Sequence, residues 1–155
     1  GDAGLKSIGA MTELRELRLS YCRFTDKGLA EIKPLQKLER LELTRTRTTD
    51  AGVESLAALT ALQSLNLDYT SVTDKGLDIL KGLPNLRELG LDSAGVTDAG
   101  VEALNAIAGL KSVNLYHTLV SSKGMASLKK SHPESEIVWD VDSSLPGRRR
   151  ASEQK

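Results

Sequence analysis

Apolar residues recur along this chain with a period of 24. Six positions of the 24-residue unit (5, 8, 11, 14, 17 and 19) are apolar in almost every unit, and 34 of these 36 sites hold an apolar residue. A composition of 39% apolar residues would fill roughly 14 of them by chance. The exceptions, Ser131 and Glu134, both lie in the last unit. The pattern predicts about six stacked repeats, starting at residues 1, 25, 49, 73, 97 and 121.

Each unit combines two periodicities. The apolar residues at positions 5, 8 and 11 are spaced by three, which indicates a short helix packed on one side. Positions 17 and 19 alternate with variable residues, which is the spacing of a strand. Neither element can bury its apolar face alone. Stacking the units would bury a continuous core and align the strands in a parallel sheet.

The phrase Thr-Asp-x-Gly-(Leu/Val) marks the predicted helix starts. It begins at residues 25, 49, 73 and 97. The Thr hydroxyl suits an N-cap, and the following carboxylate suits the positive end of its own helix. Glycine at the fourth position costs about 0.5–1 kcal/mol relative to alanine, so its repetition predicts a close backbone approach between coils. These glycines are Gly4, Gly28, Gly52, Gly76, Gly100 and Gly124.

The chain resembles a known family at the position that closes each predicted turn. Position 22 holds Cys22, Thr46, Thr70, Ala94, Thr118 and Asp142. The units, written LxxLxLxxT, resemble leucine-rich repeats. The Thr-Asp-x-Gly-Leu phrase is similar to the bacterial 24-residue type, which is related to the Cys-containing repeats of F-box adaptors. The resemblance implies an α/β leucine-rich repeat solenoid with a parallel sheet on its concave face and helical segments on its convex face.

The resemblance covers residues 1–142, which we expect to form one leucine-rich repeat domain. The last unit loses two core residues and gains charge, so we expect a C-terminal cap in which Trp139 plugs the core. Residues 143–155 contain Pro146 and a run of arginines, and we expect a disordered basic tail. The first unit keeps the apolar pattern and starts at Gly1. Its coil is therefore either exposed or preceded by further repeats.

Charge and cysteine content narrow the class of function. Basic and acidic residues number 21 each, and the basic tail leaves the repeat body slightly acidic, which disfavours a nucleic-acid-binding body. A single cysteine excludes a disulfide framework, and the absence of Cys-rich caps favours a cytoplasmic setting. The sequence contains no signal peptide, membrane-spanning run or P-loop, and we expect no cofactor. The tail sequence from Arg148 to Ser152 resembles a basophilic kinase site.

A candidate binding surface follows from the alternation of the strands. If Leu17 and Leu19 point inward, positions 16, 18, 20 and 21 of each repeat form an open surface, the sheet face. Residues 24 apart are then lateral neighbours about 4.8 Å apart. All three tyrosines of the chain fall on this face, and Tyr and Arg are enriched in interface hot spots. The predicted partner-binding residues are Tyr21, Arg45, Tyr69, Asp68, Asp92, Tyr116 and His117.

We therefore predict a non-enzymatic module that recognises a protein or peptide on the sheet face. Tyr21, Arg45 and Tyr69 are expected to stack in a row. The neighbouring carboxylates suit a partner with a basic segment. The alternatives are a structural or self-associating C-terminal fragment of a longer repeat array, joined through its N-terminal coil, and a recognition arm of a larger multidomain protein.

Other readings of the same residues are weaker. Asp92, Ser93 and His117 contain the groups of a hydrolytic triad, but a triad also needs an oxyanion hole and a sheltered pocket. Asp68, Asp92 and His117 offer ligands for a divalent cation, with most coordination sites left to water. Cys22 is expected to be a buried structural thiol, and His132 to be solvated.

Overall fold

Helices and strands alternate along the part of the chain that the computed structural model describes, residues 1–142. The helices are α1 (Asp2–Gly9), α2 (Asp26–Leu29), α3 (Asp50–Leu56), α4 (Asp74–Leu80), α5 (Asp98–Asn105) and α6 (Ser122–Ser131). A 3-10 turn, Ala30–Ile32, follows α2. The strands are β1 (Glu16–Arg18), β2 (Arg40–Glu42), β3 (Ser64–Asn66), β4 (Glu88–Gly90), β5 (Ser112–Asn114) and β6 (Glu136–Val138). The predicted tail, residues 143–155, lies outside the described residues.

The six strands form one parallel sheet in the order β1-β2-β3-β4-β5-β6. The register pairs each residue with the one 24 positions later, as in Leu17 with Leu41 and Leu41 with Leu65. The backbone ladder continues past the strands, because the N–H of Tyr21 donates to the carbonyl of Thr44 at 2.8 Å. The predicted α/β solenoid and its parallel sheet are confirmed.

The core is one continuous cluster that runs through all the repeats. Leucines of the inner units, such as Leu41, Leu65 and Leu91, are buried almost completely. The structure adds a buried column at position 24 that the sequence analysis did not use. Its members are Phe24, Thr48, Val72, Val96 and Val120.

The prediction for Cys22 was wrong. Position 22 is an interior site in the inner units, where Thr46 and Thr118 are buried and each hydroxyl donates at 2.7 Å to the carbonyl of the leucine three residues earlier. Cys22 is exposed, because it belongs to the outermost coil of the described chain and only one neighbouring coil covers it.

The repeated glycines have a different cause from the one predicted. A Cβ at Gly100 would lie 2.4 Å from Oδ1 of Asp74, so the close approach comes from an aspartate side chain of the preceding repeat and not from backbone. The same contact recurs at Gly28, Gly52, Gly76 and Gly124. Gly4 has nothing within 4 Å, because no earlier coil lies beside it in the described chain.

The two end units are less well covered than the inner ones. Met11 is 57% exposed, and Ile8 and Leu14 are only partly buried. At the other end, Trp139 is half-buried against the core, and its indole N–H donates to the carbonyl of Val120 at 3.0 Å. His132, predicted to be solvated, is buried at the end of α6, where its Nε2 lies 3.0 Å from the carbonyl oxygen of Leu104.

Candidate functional site

The sheet face ends in a column of residues with left-handed backbone. Position 21 of five successive repeats has a positive φ: 62° at Tyr21, 54° at Arg45, 56° at Tyr69, 59° at Ser93 and 54° at His117. Each residue is the third of a tight turn, closed in the first repeat by a 3.0 Å hydrogen bond from the N–H of Cys22 to the carbonyl of Leu19. A positive φ at the third turn residue is the geometry that glycine normally fills.

Side chains at this column carry a backbone penalty. The left-handed conformation costs an L-residue about 1–2 kcal/mol, and Tyr and Arg lack the short side chain that lets Asn or Asp visit it readily. Ladder and turn hydrogen bonds fix the conformation from both sides. The turn therefore projects a side chain after each of the first five strands instead of the glycine that stability alone would favour, and four of the five are large polar or aromatic residues.

Arg45 and Tyr69 form a cation–π pair in this column. The guanidinium carbon of Arg45 lies 4.5 Å from the centre of the Tyr69 ring. Tyr69 keeps 39% of its surface exposed, and Tyr21, on the other side of Arg45, keeps 71%. A guanidinium held over a ring in this way presents a flat surface to a partner at little cost in side-chain entropy.

Asp92 is the point on which three position-21 side chains converge. Its Oδ1 accepts a hydrogen bond from the Ser93 hydroxyl at 2.8 Å and lies 3.1 Å from Nδ1 of His117. Burial raises the pKa of Tyr69, and the nearby Asp92 carboxylate raises it further. The ring of Tyr116 lies 3.9 Å from that of His117. Asp92 thus orients the side chains of Ser93 and His117.

This arrangement does not form a hydrolytic triad. In a triad the imidazole stands between the carboxylate and the hydroxyl. Here Ser93 and His117 both contact the same oxygen of Asp92, so the Ser93 hydroxyl donates to the carboxylate and the imidazole does not activate it. Within residues 1–142, no group of three or more His, Cys, Asp or Glu side chains is placed to hold a metal ion.

Asp68 is held rigidly in the middle of the sheet face. Its Oδ1 accepts the N–H of Asp92 at 2.8 Å, and its Oδ2 accepts Nδ2 of Asn66 at 3.0 Å. Asn66 is fixed in turn, since its Oδ1 accepts the Thr44 hydroxyl at 2.8 Å. Burial is the main cause that raises the pKa of Asp68, opposed by these hydrogen bonds and assisted by the charge of Asp92.

A depression of about 200 Å³ opens beside Asp68, centred on Gly90. Sequence reasoning placed Asp68 in the site but left out its neighbours at position 18, Asn66, Gly90 and Asn114. The sequence marks this part of the face, because Gly90 is the only glycine among the six residues at position 18. A missing side chain at this position lets the neighbouring side chains of Asp68 and Asn66 reach over the strand.

The repeat pattern, the parallel sheet and the turn geometry agree with the family comparisons. A model described as "Leucine rich repeat" matches residues 36–96, and a second model of the same description matches residues 10–33. The chain is a leucine-rich repeat protein.

Solved structures of leucine-rich repeat proteins from bacteria share this fold. An internalin of Listeria monocytogenes superposes with a TM-score of 0.64 at 20% identity, over 91% of this chain and 48% of that one. A leucine-rich repeat protein of Leptospira interrogans gives a TM-score of 0.58 at 22% identity, over 84% of this chain and 38% of that one. The chain therefore spans about half or less of these structures. No curated protein matches its sequence.

Leucine-rich repeat proteins generally serve as protein–protein interaction modules, and typically have no enzymatic activity. Within the described residues of this one, no helix is both long enough and apolar enough to cross a membrane. The seven residues predicted for the site all lie along one face, in columns 20 and 21 of repeats one to five. Their role in binding stays a prediction.

Proposed function

We propose that the protein recognises a partner protein or peptide on its sheet face, without chemistry of its own. The binding residues are Tyr21, Arg45, Tyr69, Asp68, Asp92, Tyr116 and His117. The observation that carries this proposal is the left-handed backbone at position 21, occupied in five repeats by residues other than glycine. Side chains retained against a backbone penalty indicate a role that stability does not explain.

The chemistry of the face favours a partner that carries basic side chains and groups that can pack against tyrosine rings. Exposed Tyr and Arg are the residue types that dominate the energy of protein interfaces. Arg45 already stacks on Tyr69, and Asp92 already orients His117, so little ordering is required on binding. Asp68 and Asp92 add negative charge in the same area. Binding without catalysis is supported by the open face and by the position of Ser93, whose hydroxyl donates to Asp92.

Affinity capture tests this proposal. The wild-type chain and an Arg45→Ala/Tyr69→Ala double variant are used to capture proteins from a lysate of the source organism, and captured partners are then purified and titrated. We expect the double variant to lose at least about tenfold in affinity, since hot-spot truncations exceed 1.4 kcal/mol. A Lys75→Ala/Glu102→Ala variant on exposed sites of α4 and α5 serves as the control and should stay within about twofold. Equal affinity of all three proteins would contradict the proposal.

A second function is favoured by the N-terminal coil. Met11 is 57% exposed, and Ile8 and Leu14 are only half-covered, so this end offers an apolar surface for self-association or for a preceding repeat. A Met11→Glu change should then abolish any concentration-dependent dimerisation seen by analytical ultracentrifugation. Monomeric wild-type protein across the concentration range would remove the self-association alternative. We also propose that residues 121–142 cap the array, which the contact of Trp139 with the core supports.

A further inference from the structure

Nine residues form a regular grid on the sheet face, and seven of them line the depression. Three adjacent strands, β3, β4 and β5, each contribute positions 16 and 18, which the strand register places side by side, and position 20 follows each strand. The middle site of the grid is Gly90. Its members are Ser64, Asn66, Asp68, Glu88, Gly90, Asp92, Ser112, Asn114 and Tyr116.

The side chains of Asp68 and Asn66 reach over Gly90, which has no side chain to exclude them. A Cβ at Gly90 would lie 2.8 Å from Oδ1 of Asp68 and 2.9 Å from Nδ2 of Asn66. The depression of about 200 Å³ is lined by Leu65, Leu89, Gly90 and polar residues of the three strands. It has room for the end of one side chain of a partner.

The chemistry of the wall selects a positive group. The residues that line the depression include two carboxylates, from Asp68 and Glu88, and no Lys, Arg or His. An ionised carboxylate has about four acceptor sites, and the bonds from Asp92 and Asn66 use two of those on Asp68. A cationic donor in the depression would occupy the remaining acceptor sites of Asp68. Its charge would also offset the burial that raises the pKa of Asp68.

Hydrogen bonds within the protein also fix the polar side chains that line the depression. Asn66 fixes Asp68 through its Nδ2, and Thr44 fixes Asn66 through its hydroxyl. Fixed, partly desolvated acceptors lose little freedom when a charged donor binds.

We infer that the Gly90 depression is a subsite for a single basic side chain, arginine or lysine, of the partner. This rests on the proposed function of the sheet face and names the chemistry of the group that enters it. The aromatic column at position 21 lies beside the subsite and contacts the neighbouring part of the same segment.

Amide NMR with small probes tests the inference without knowledge of the partner. The ¹⁵N-labelled chain is titrated with N-acetyl-arginine methylamide, with the lysine analogue, and with the neutral citrulline analogue, which keeps the shape of arginine without its charge. We expect saturable shifts at the amides of Gly90, Asn66 and Asn114 with a basic probe and none with citrulline. Equal shifts with citrulline, or no shifts with either basic probe, would overturn the inference.

Matched variants locate the binding. Asp68→Asn should weaken the basic probe about tenfold, the effect of losing one charged contact. Glu136→Gln, an exposed carboxylate on the same face but outside the grid, should change the affinity less than about twofold. Gly90→Ala should also weaken the basic probe, because its Cβ would lie 2.8 Å from Oδ1 of Asp68 and displace that carboxylate. Equal weakening by Asp68→Asn and Glu136→Gln would reduce the effect to general charge and refute the subsite.

The outcome is separable from that of the proposed function. If the probes fail while the Arg45→Ala/Tyr69→Ala variant still loses its captured partner, the subsite is wrong and the sheet face remains the binding surface. If the probes bind at Gly90 but the double variant keeps its partner, the basic-side-chain subsite stands and the aromatic column loses its role.

Discussion

The carboxylate of Asp50 caps a helix that belongs to the next repeat. It accepts the backbone N–H of Thr73 at 2.8 Å and the hydroxyl of Thr73 at 2.6 Å, and its Oδ1 also accepts the N–H of Gly76 at 3.1 Å. The Asp–Thr pairing recurs from Asp2–Thr25 to Asp98–Ser121. The repeated phrase is therefore a chain of contacts between coils: threonine receives the aspartate of the previous repeat, and glycine leaves room for it.

The first prediction concerns this contact. Asp50→Ala should lower the free energy of unfolding by about 1–3 kcal/mol, since it leaves half-buried donors of Thr73 and Gly76 without their acceptor. Chemical denaturation measures the change. Asp78→Ala is the matched control, because Asp78 is an exposed aspartate of the same helical layer that pairs with Lys81 on its own repeat. It should cost under about 0.5 kcal/mol. Similar losses of unfolding free energy from both changes would show that the contact between repeats stabilises the protein no more than an exposed ion pair does.

The glycines of the phrase should respond differently by repeat. Gly4→Ala should stabilise the protein by about 0.5–1 kcal/mol, because alanine is the better helix former and nothing lies within 4 Å of its Cβ. Gly100→Ala should destabilise it, because the Cβ would displace the Asp74 carboxylate. Thermal melting of the two single variants measures both changes in stability. A gain at both sites would mean that the aspartate contact is dispensable.

The left-handed column predicts an inverted preference for glycine. At Tyr21, which has a φ of 62° and a largely exposed side chain, the glycine variant should be more stable than the alanine variant by about 1 kcal/mol. At the neighbouring Ser20, whose φ is not positive, alanine should be the more stable of the two. Denaturant unfolding of the four variants gives both differences. The same order at both sites would contradict the strain on which the proposed function relies.

The pH dependence of stability should reveal the buried charge of Asp68. Its pKa in the folded protein is raised above the ordinary 3.8, so the folded state binds this proton more tightly than the unfolded state does. Stability from this group is therefore lower above the raised pKa and recovers as the pH falls through it towards 3.8. In urea titrations, the free energy of unfolding of the wild type minus that of Asp68→Asn should rise as the pH falls through that window. A constant or falling difference would contradict the burial.

The fold could be predicted from the sequence because its cause is periodic. Each apolar column, such as the one through Leu41 and Leu65, holds five or six apolar residues in six repeats, so chance cannot explain it. Strand register followed directly, because repeats of equal length align equal positions. The end units were predicted less well. The burial of Cys22 and His132 depends on which coils lie beside them, and their positions in the repeat do not show this.

The details of the site required coordinates. The columns of Tyr69 and Asp92 were visible in the sequence, but the left-handed backbone was not, because Tyr and Arg do not mark a positive φ as glycine does. The partner of Asp50 was assigned to its own helix, since a sequence gives no sign that a short side chain reaches the next repeat. The role of Gly90 is clear only beside its neighbours Asn66 and Asp68.

Site-specific photo-crosslinking tests the central claim, that the sheet face is the surface that binds the partner. Benzoylphenylalanine replaces Tyr116 on the sheet face in one protein and Ala99, an exposed residue of α5 on the opposite side, in another. Both are irradiated with the captured partner. The account predicts a covalent adduct from position 116 and little or none from position 99. An adduct from position 99 alone would place the partner on the helices and contradict the account.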